Sequence, residues 1–266
     1  MKAAKALPIL MYHHVSPNHG LVTVSPAAFR SHLAALSSAG WKTGGLKTVE
    51  AFFAGEQVPE KTCVITFDDG YLDNALYAAP VLAEFGMKAV IFTVTGWMGD
   101  GAVRSGWQET PDHRECKRRI AAGDPDSVIL RWSEAECLQA EGVFEFHSHT
   151  HSHTRWDKTV GDPTARKSAL LADLTASRSA LQERLGVESR HLCWPQGYFD
   201  SLYIEVARGV GFDHLYTTVP TINRPMMPTD RIARFVTKER PGKWLEQRTR
   251  LYANPILGTL YRWIKR

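Results

Sequence analysis

Short apolar runs alternate along the chain with stretches whose apolar residues return every three or four positions, the pattern of a parallel α/β fold. Residues 8–12 (PILMY) form a buried-strand candidate. Ser25 then caps a helix with Pro26 in its first turn, Phe29, Leu33 and Leu36 as its apolar stripe, and Gly40 as its stop. A second short helix follows Thr48. Residues 62–67 (TCVITF) are a β-rich run ending in Asp68-Asp69-Gly70. A helix over about 72–85, kinked at Pro80 and stopped by Gly86, leads to another strand at 89–94. This βαβ unit places two carboxylates at the carboxyl end of its first strand, where parallel α/β folds bind ligands.

Residues from 96 to about 130 lack a clear period and read as an inserted loop with one helix; long loops of this kind are often functional. Ser133 caps the next helix, with Glu136 in the capping-box position and Gly142 at its end. The strand that begins at 143–146 runs into a histidine cluster. A long amphipathic helix at 165–185 follows, then strand candidates at 191–194, 214–218 and 232–236, with a helix at 201–209. The 266 residues, 44% of them hydrophobic, suit one α/β barrel domain.

Charge changes this picture little. A net +4 from 32 basic and 28 acidic residues is too small, and too evenly spread, to indicate a nucleic-acid partner. The four cysteines have no CxxC spacing, and Cys63 and Cys193 sit in apolar runs, so free thiols in a reducing compartment are expected. The first residues, MKAAKALPILMYHHV, lack the apolar core and cleavage site of a secretory signal, and no run reaches the ~18 apolar residues of a membrane span. The expectation is a cytoplasmic protein.

Two segments carry chemistry. In Thr66-Phe67-Asp68-Asp69-Gly70, two adjacent carboxylates reach one site only if the backbone turns sharply, which Gly70 permits. Their repulsion calls for a cation, and a metal bound by one leaves the other as a base. The bland alternative is a solvated turn. In Phe146-His147-Ser148-His149-Thr150-His151-Ser152-His153, four histidines recur at every second position, on one face if the strand continues through them. Any two of them with one carboxylate make a three-ligand zinc site with a position open for water.

Together the segments resemble the polysaccharide deacetylase family, the NodB-homology or carbohydrate esterase family four group. Its first motif, Thr-Phe-Asp-Asp-Gly, is present unchanged, and its histidine motif is matched by His149-Thr150-His151-Ser152-His153. The earlier register, His147 to His151, has the same spacing. Trp194-Pro195-Gln196-Gly197 stands in the place of the third motif, and Leu10-Met11-Tyr12-His13-His14-Val15 is similar to the opening of the biofilm-polysaccharide branch.

The resemblance implies a distorted, incomplete (β/α) barrel of about seven parallel strands over residues 1–240, with residues 241–266 as an extension. It implies Asp69, His149 and His153 as ligands of zinc, or of another divalent ion such as Co2+ or Ni2+. Asp68 becomes the general base, His13 the acid, and the backbone N–H of Gln196 an oxyanion donor. His147, His151, Trp194 and Tyr198 are left as substrate-side or supporting residues. The family's third motif has an arginine where this chain has Cys193, so the family's tether of the base is absent from that position; Arg234 is the candidate substitute. The implied activity is removal of an N-acetyl group from an N-acetylated sugar. An O-acetyl esterase, a non-sugar amide deacetylase and a silent sugar-binding module are the alternatives. A glycosidase is disfavoured, because adjacent carboxylates cannot flank a bond at the ~5–9.5 Å such enzymes need.

After Arg240 the chain mixes Trp, Tyr, Leu and Ile with Lys and Arg, and Glu246 is its only acid. That composition suits a peripheral contact with an anionic membrane, with Trp263 and Ile264 inserted and Arg262, Lys265 and Arg266 wet. A helix docked on the barrel is the alternative.

Overall fold

The computed structural model describes residues 2–219 and 221–264. Its strands are β1 (Ile9–Tyr12), β2 (His14–Val15), β3 (Thr23–Val24), β4 (Lys42–Thr43), β5 (Thr62–Asp69), β6 (Ala89–Thr93), β7 (Phe144–Ser148), β8 (His191–Cys193), β9 (His214–Thr217), β10 (Ile232–Ala233) and β11 (Phe235–Val236). Around them run α1 (Pro26–Ser38), α2 (Leu46–Phe53), α3 (Ala79–Glu84), α4 (His113–Ala121), α5 (Trp132–Ala140), α6 (Trp156–Thr159), α7 (Pro163–Leu185), α8 (Ser201–Val210), α9 (Gly242–Tyr252) and α10 (Pro255–Ile264).

The main sheet is parallel and runs β10-β9-β8-β7-β6-β5-β1-β11, with β4 also beside β5. Its two end strands are separated in the chain only by Arg234. The segment therefore pairs with β9 on one side of that residue and with β1 on the other. This seam nearly closes the sheet into a barrel.

Alternation along the strands sorts side chains to two faces. Ile9, Val64, Val90, Phe92, Cys193, Tyr216 and Ile232 pack inside, where Val49, Phe52 and Phe53 of α2 plug one mouth. Leu10, Tyr12, Ile65, Phe67, Ile91, Phe144 and Phe146 point outward onto α1, α3 and α5. Leu192 and Leu215 pack outward with Leu170 and Leu174 of α7 and Val206 of α8. Asp68 shares parity with Val64 and Thr66, so β5 delivers its carboxylate to the interior.

Local chemistry shifts several expected boundaries. Ser25 caps α1 as expected, accepting the Ala28 N–H at 3.2 Å. By contrast, α2 starts at Leu46, ahead of Thr48, because the Glu145 carboxylate caps it from across the barrel by accepting the Leu46 N–H at 2.8 Å. Gly45 allows this approach, since a Cβ there would lie 1.8 Å from Glu145 Oε1. Helix α5 is capped at Arg131 rather than Ser133, and Glu134, not Glu136, reaches back to the Arg131 N–H at 2.9 Å. The 72–85 helix breaks into a π-helical turn (Asn74–Ala78) before α3, with Pro80 in the first turn of α3.

The C-terminal extension docks through α9. Gly242 N–H donates to Ser31 Oγ at 3.0 Å, Leu245 is buried, and the Tyr252 ring stacks on Phe235 at 4.7 Å. Helix α10 leaves Ile256, Leu257 and Leu260 exposed. The side chains of Arg262, Trp263 and Ile264, and Lys265 and Arg266 altogether, lie outside the described residues. Among the described residues no helix is long and apolar enough to cross a membrane.

Candidate active site

A cavity of about 180 Å³ opens at the carboxyl ends of the strands, lined by His13, Asp68, Asp69, His149, His153, Gln196 and Arg234, with Tyr71, Trp97, His113 and Lys117. Unusual backbone puts them there. Asp69 ends β5 at φ 75°, with Gly70 following at φ 85°, so that Asp68 and Asp69 serve one cavity from adjacent positions. Strand β7 stops at Ser148, and Thr150 and His153 take φ values of 68° and 58°. Backbone this strained is found where the surrounding structure over-determines it.

Asp69 Oδ1 stands 3.4 Å from His149 Nε2 and 3.5 Å from His153 Nε2. That oxygen is buried and has no hydrogen-bond partner among the described residues. An orphaned carboxylate oxygen facing two imidazole nitrogens is what a divalent cation would satisfy. His149 Nδ1 donates to the Cys193 carbonyl at 2.8 Å, which leaves its Nε2 lone pair for such an ion. Burial lowers the proton affinity of His153, to about 4 despite nearby Asp69, and so favours the neutral, ligating ring. The donor set fits a metal.

Asp68 forms a second grouping with Cys193 and His149, yet its carboxylate is already engaged. Arg234 Nη1 donates to Asp68 Oδ1 at 2.5 Å and Nη2 to Oδ2 at 2.8 Å, a bidentate pair inside the barrel. Arg234 Nη2 also lies 2.9 Å from Cys193 Sγ, so the small thiol makes room for the guanidinium. Burial alone would raise the Asp68 carboxyl, but Arg234, with His149 and His13, holds it well below the usual carboxylate range. Asp68 is thus an ionised base candidate, and Asp69 the ligand candidate. His13 Nε2 is 3.8 Å from Asp68 Oδ2, and burial lowers its pKa against the pull of Asp68 and Asp69.

Four expected residues are not brought to this cavity. His147 Nδ1 bonds Ser189 Oγ at 2.9 Å and its ring faces His191, at the opposite mouth of the barrel. The strand that would have aligned all four histidines ends before they are complete. His151 Nδ1 bonds Thr95 Oγ1 at 3.0 Å beside the site. Trp194 is wholly buried against Tyr203, and Tyr198 lies under the Arg155 guanidinium at 3.8 Å.

Sequence reasoning missed His113 and Lys117, which α4 brings to the cavity from the 96–130 insertion. The legible signal was Asp112, which caps α4 by accepting the Glu115 N–H at 2.9 Å, with His113 and Lys117 four apart on one helical face. His113 Nδ1 bonds His14 Nε2 at 3.1 Å, and His14 Nδ1 bonds Asp73 Oδ2 at 2.6 Å. This Asp–His–His chain, buried at Asp73 and His14 and half-buried at His113, links the insertion to the barrel.

Known proteins resemble this chain in sequence and in fold. The family model for polysaccharide deacetylase matches residues 55–215. The chain belongs to that family. The deacetylase relatives include YxkH of Bacillus subtilis (strain 168), 44% identical over 94 residues, 35% of this chain and 33% of that protein. The poly-beta-1,6-N-acetyl-D-glucosamine N-deacetylase of Escherichia coli (strain K12) is 23% identical over 238 residues, 78% of this chain and 33% of the relative. The chain thus spans about a third of the length of the curated relatives it matches. In fold it is similar to IcaB from Ammonifex degensii, with a TM-score of 0.75 and 22% identity over 95% of this chain and 99% of that one.

Proposed function

We propose that this deacetylase hydrolyses the N-acetyl group of an N-acetylated sugar with the help of one zinc ion, releasing acetate and a free amine. The observation that carries the reading is Asp69 Oδ1, orphaned between His149 and His153 while its neighbour Asp68 is clamped by Arg234. Two imidazole nitrogens and one carboxylate suit zinc with a position left open. When bound, the metal would supply Lewis-acid polarisation of the acetyl carbonyl and of a water molecule.

The chain's own residues do the rest. Asp68, ionised and oriented by Arg234, takes the proton of the attacking water. Gln196 lines the cavity at φ 55°, and its backbone N–H is the donor for the oxyanion that develops on the acetyl oxygen. His13, 3.8 Å from Asp68, is the acid: the Asp68 and Asp69 carboxylates favour its protonated ring against burial, and that proton goes to the departing sugar nitrogen, without which the amine leaves poorly. The E. coli relative's named substrate supports poly-N-acetylglucosamine as the first polymer to assay. Acetate release from N-acetylglucosamine oligomers by the zinc-loaded chain tests the proposal, and no release from oligomers or from single N-acetyl sugars would overturn it.

The peripheral membrane contact is expected of Trp263 and Ile264, whose side chains lie outside the described residues; the support it has is the exposure of Ile256, Leu257 and Leu260 on the same helix, α10. Liposome flotation of the full chain against a variant with these three changed to serine tests that part.

A further inference from the structure

The opposite mouth of the barrel holds a second group of metal-type donors. His191 and His214 are the first residues of β8 and β9 and are direct partners across the two strands, so their side chains leave the sheet on the same face. Their rings lie 4.6 Å apart, tilted by 31°. Glu50 comes down on them from α2, the helix that plugs this mouth, with Oε1 at 3.1 Å from His191 Nε2. One donor atom from each of Glu50, His191 and His214 lies within 4.8 Å of those of the other two.

The outer nitrogens are already fixed. His214 Nδ1 bonds Asp213 Oδ1 at 2.6 Å, and Arg190 Nε in turn holds Asp213 Oδ2 at 2.9 Å. His191 Nδ1 bonds the Tyr216 hydroxyl at 3.0 Å. With Nδ1 engaged on oxygen in both rings, Nε2 is the nitrogen each ring can offer an ion, which at His191 would take the place of the direct contact with Glu50 Oε1. Both histidines are buried, whereas Glu50 is half-buried and gives the group a route to solvent. Arg190 compensates Asp213, and Glu50, whose carboxylate bonds His191 Nε2, is the group that can balance a divalent charge.

We propose that Glu50, His191 and His214 form a second divalent transition-metal site, for an ion of the zinc class, which pins α2 to β8 and β9. It is separate from the cavity of Asp69, His149 and His153, which opens at the other ends of the strands. Two nitrogens and one carboxylate oxygen suit such an ion, with water completing the shell. Because the ligands come from a helix and two strands, binding ties elements that are distant in sequence and stabilises the folded chain by mass action.

The test uses the full chain with the first site disabled, as Asp69→Asn/His149→Ala. After dialysis against zinc and passage over a desalting column, this variant is expected to retain about one zinc per chain and to melt several degrees higher than its chelator-treated form. Adding Glu50→Gln/His214→Gln, which keeps polar side chains of similar length at both positions, should remove both the zinc and the shift. Absence of zinc from the first variant would overturn the proposal. So would equal zinc in the second, provided circular dichroism shows both folded. Neither result depends on acetate release, so the site stands or falls apart from the proposed reaction.

Discussion

Arg234 grips both oxygens of Asp68 at the one residue where the barrel's closing strand changes partners, from β9 to β1. The base is thereby tied to the seam of the fold. Removing one member of a buried ion pair leaves the other charged and unsolvated, at a cost of about 3–5 kcal/mol. Arg234→Ala should be destabilised by about that amount in urea denaturation. Asp68→Asn/Arg234→Ala should lose much less than the sum of the single changes. Additive losses would show that the two groups do not act on each other.

Asp68→Asn is expected to keep the zinc bound by Asp69, His149 and His153 and to lower turnover by about 10²- to 10⁴-fold, the usual worth of a positioned base. Metal content and acetate release measured on one preparation separate the two roles. Loss of metal together with activity would move Asp68 into the ligand set.

His13→Ala should lower kcat by a similar factor of about 10²–10⁴ while leaving the melting temperature close to that of the parent. The His13 side chain is 19% exposed at the cavity wall, so its removal opens little of the core. Turnover within twofold of the parent would assign the leaving-group proton elsewhere.

Chelator-treated protein should lose stability on acidification, beginning below about pH 6.5. His32 and His191 are buried and His147 is half-buried, and desolvation lowers the proton affinity of each, against opposing partners at His32 and His191. Above the ordinary histidine pKa neither the folded nor the unfolded chain holds these protons. Below it the unfolded chain takes them up and the folded chain does not, so stability falls as pH drops towards the folded values. Melting temperatures taken between pH 7.5 and 5 should fall, and His147→Gln should flatten the slope. An unchanged slope would remove His147 from the account.

The alternating strands were legible because their residues are apolar on both faces, as in 62–67 and 89–94. So were Asp68, Asp69, His149 and His153, which stand in two short motifs whose residue types are scarce together. What could not be read comes from tertiary contact. Strand β5 runs on to Asp69, two polar residues past the apolar run, because β6 pairs with it as far as Thr93. Helix α2 begins early because Glu145, about a hundred residues away, caps it. His113 reaches the cavity only through the fold of an aperiodic insertion, and no local pattern ties it to His14. His147 and His151 looked equivalent to their neighbours, but β7 holds His147 against Ser189 and ends at Ser148, and His151 follows the left-handed turn at Thr150.

The exchange between Cys193 and Arg234 also limits how the sequence can change. The guanidinium already fills the space beside the thiol, with 2.9 Å between Nη2 and Sγ, so no second arginine fits at position 193. A chain with neither arginine strands the Asp68 charge; a chain with both is overcrowded. Either change made alone, an arginine gained at 193 or lost at 234, is therefore expected to damage the site, which ties positions 193 and 234 to each other. Cys193→Ala should be tolerated here, Cys193→Arg should not, and Cys193→Arg with Arg234→Ala should recover part of what either change alone destroys.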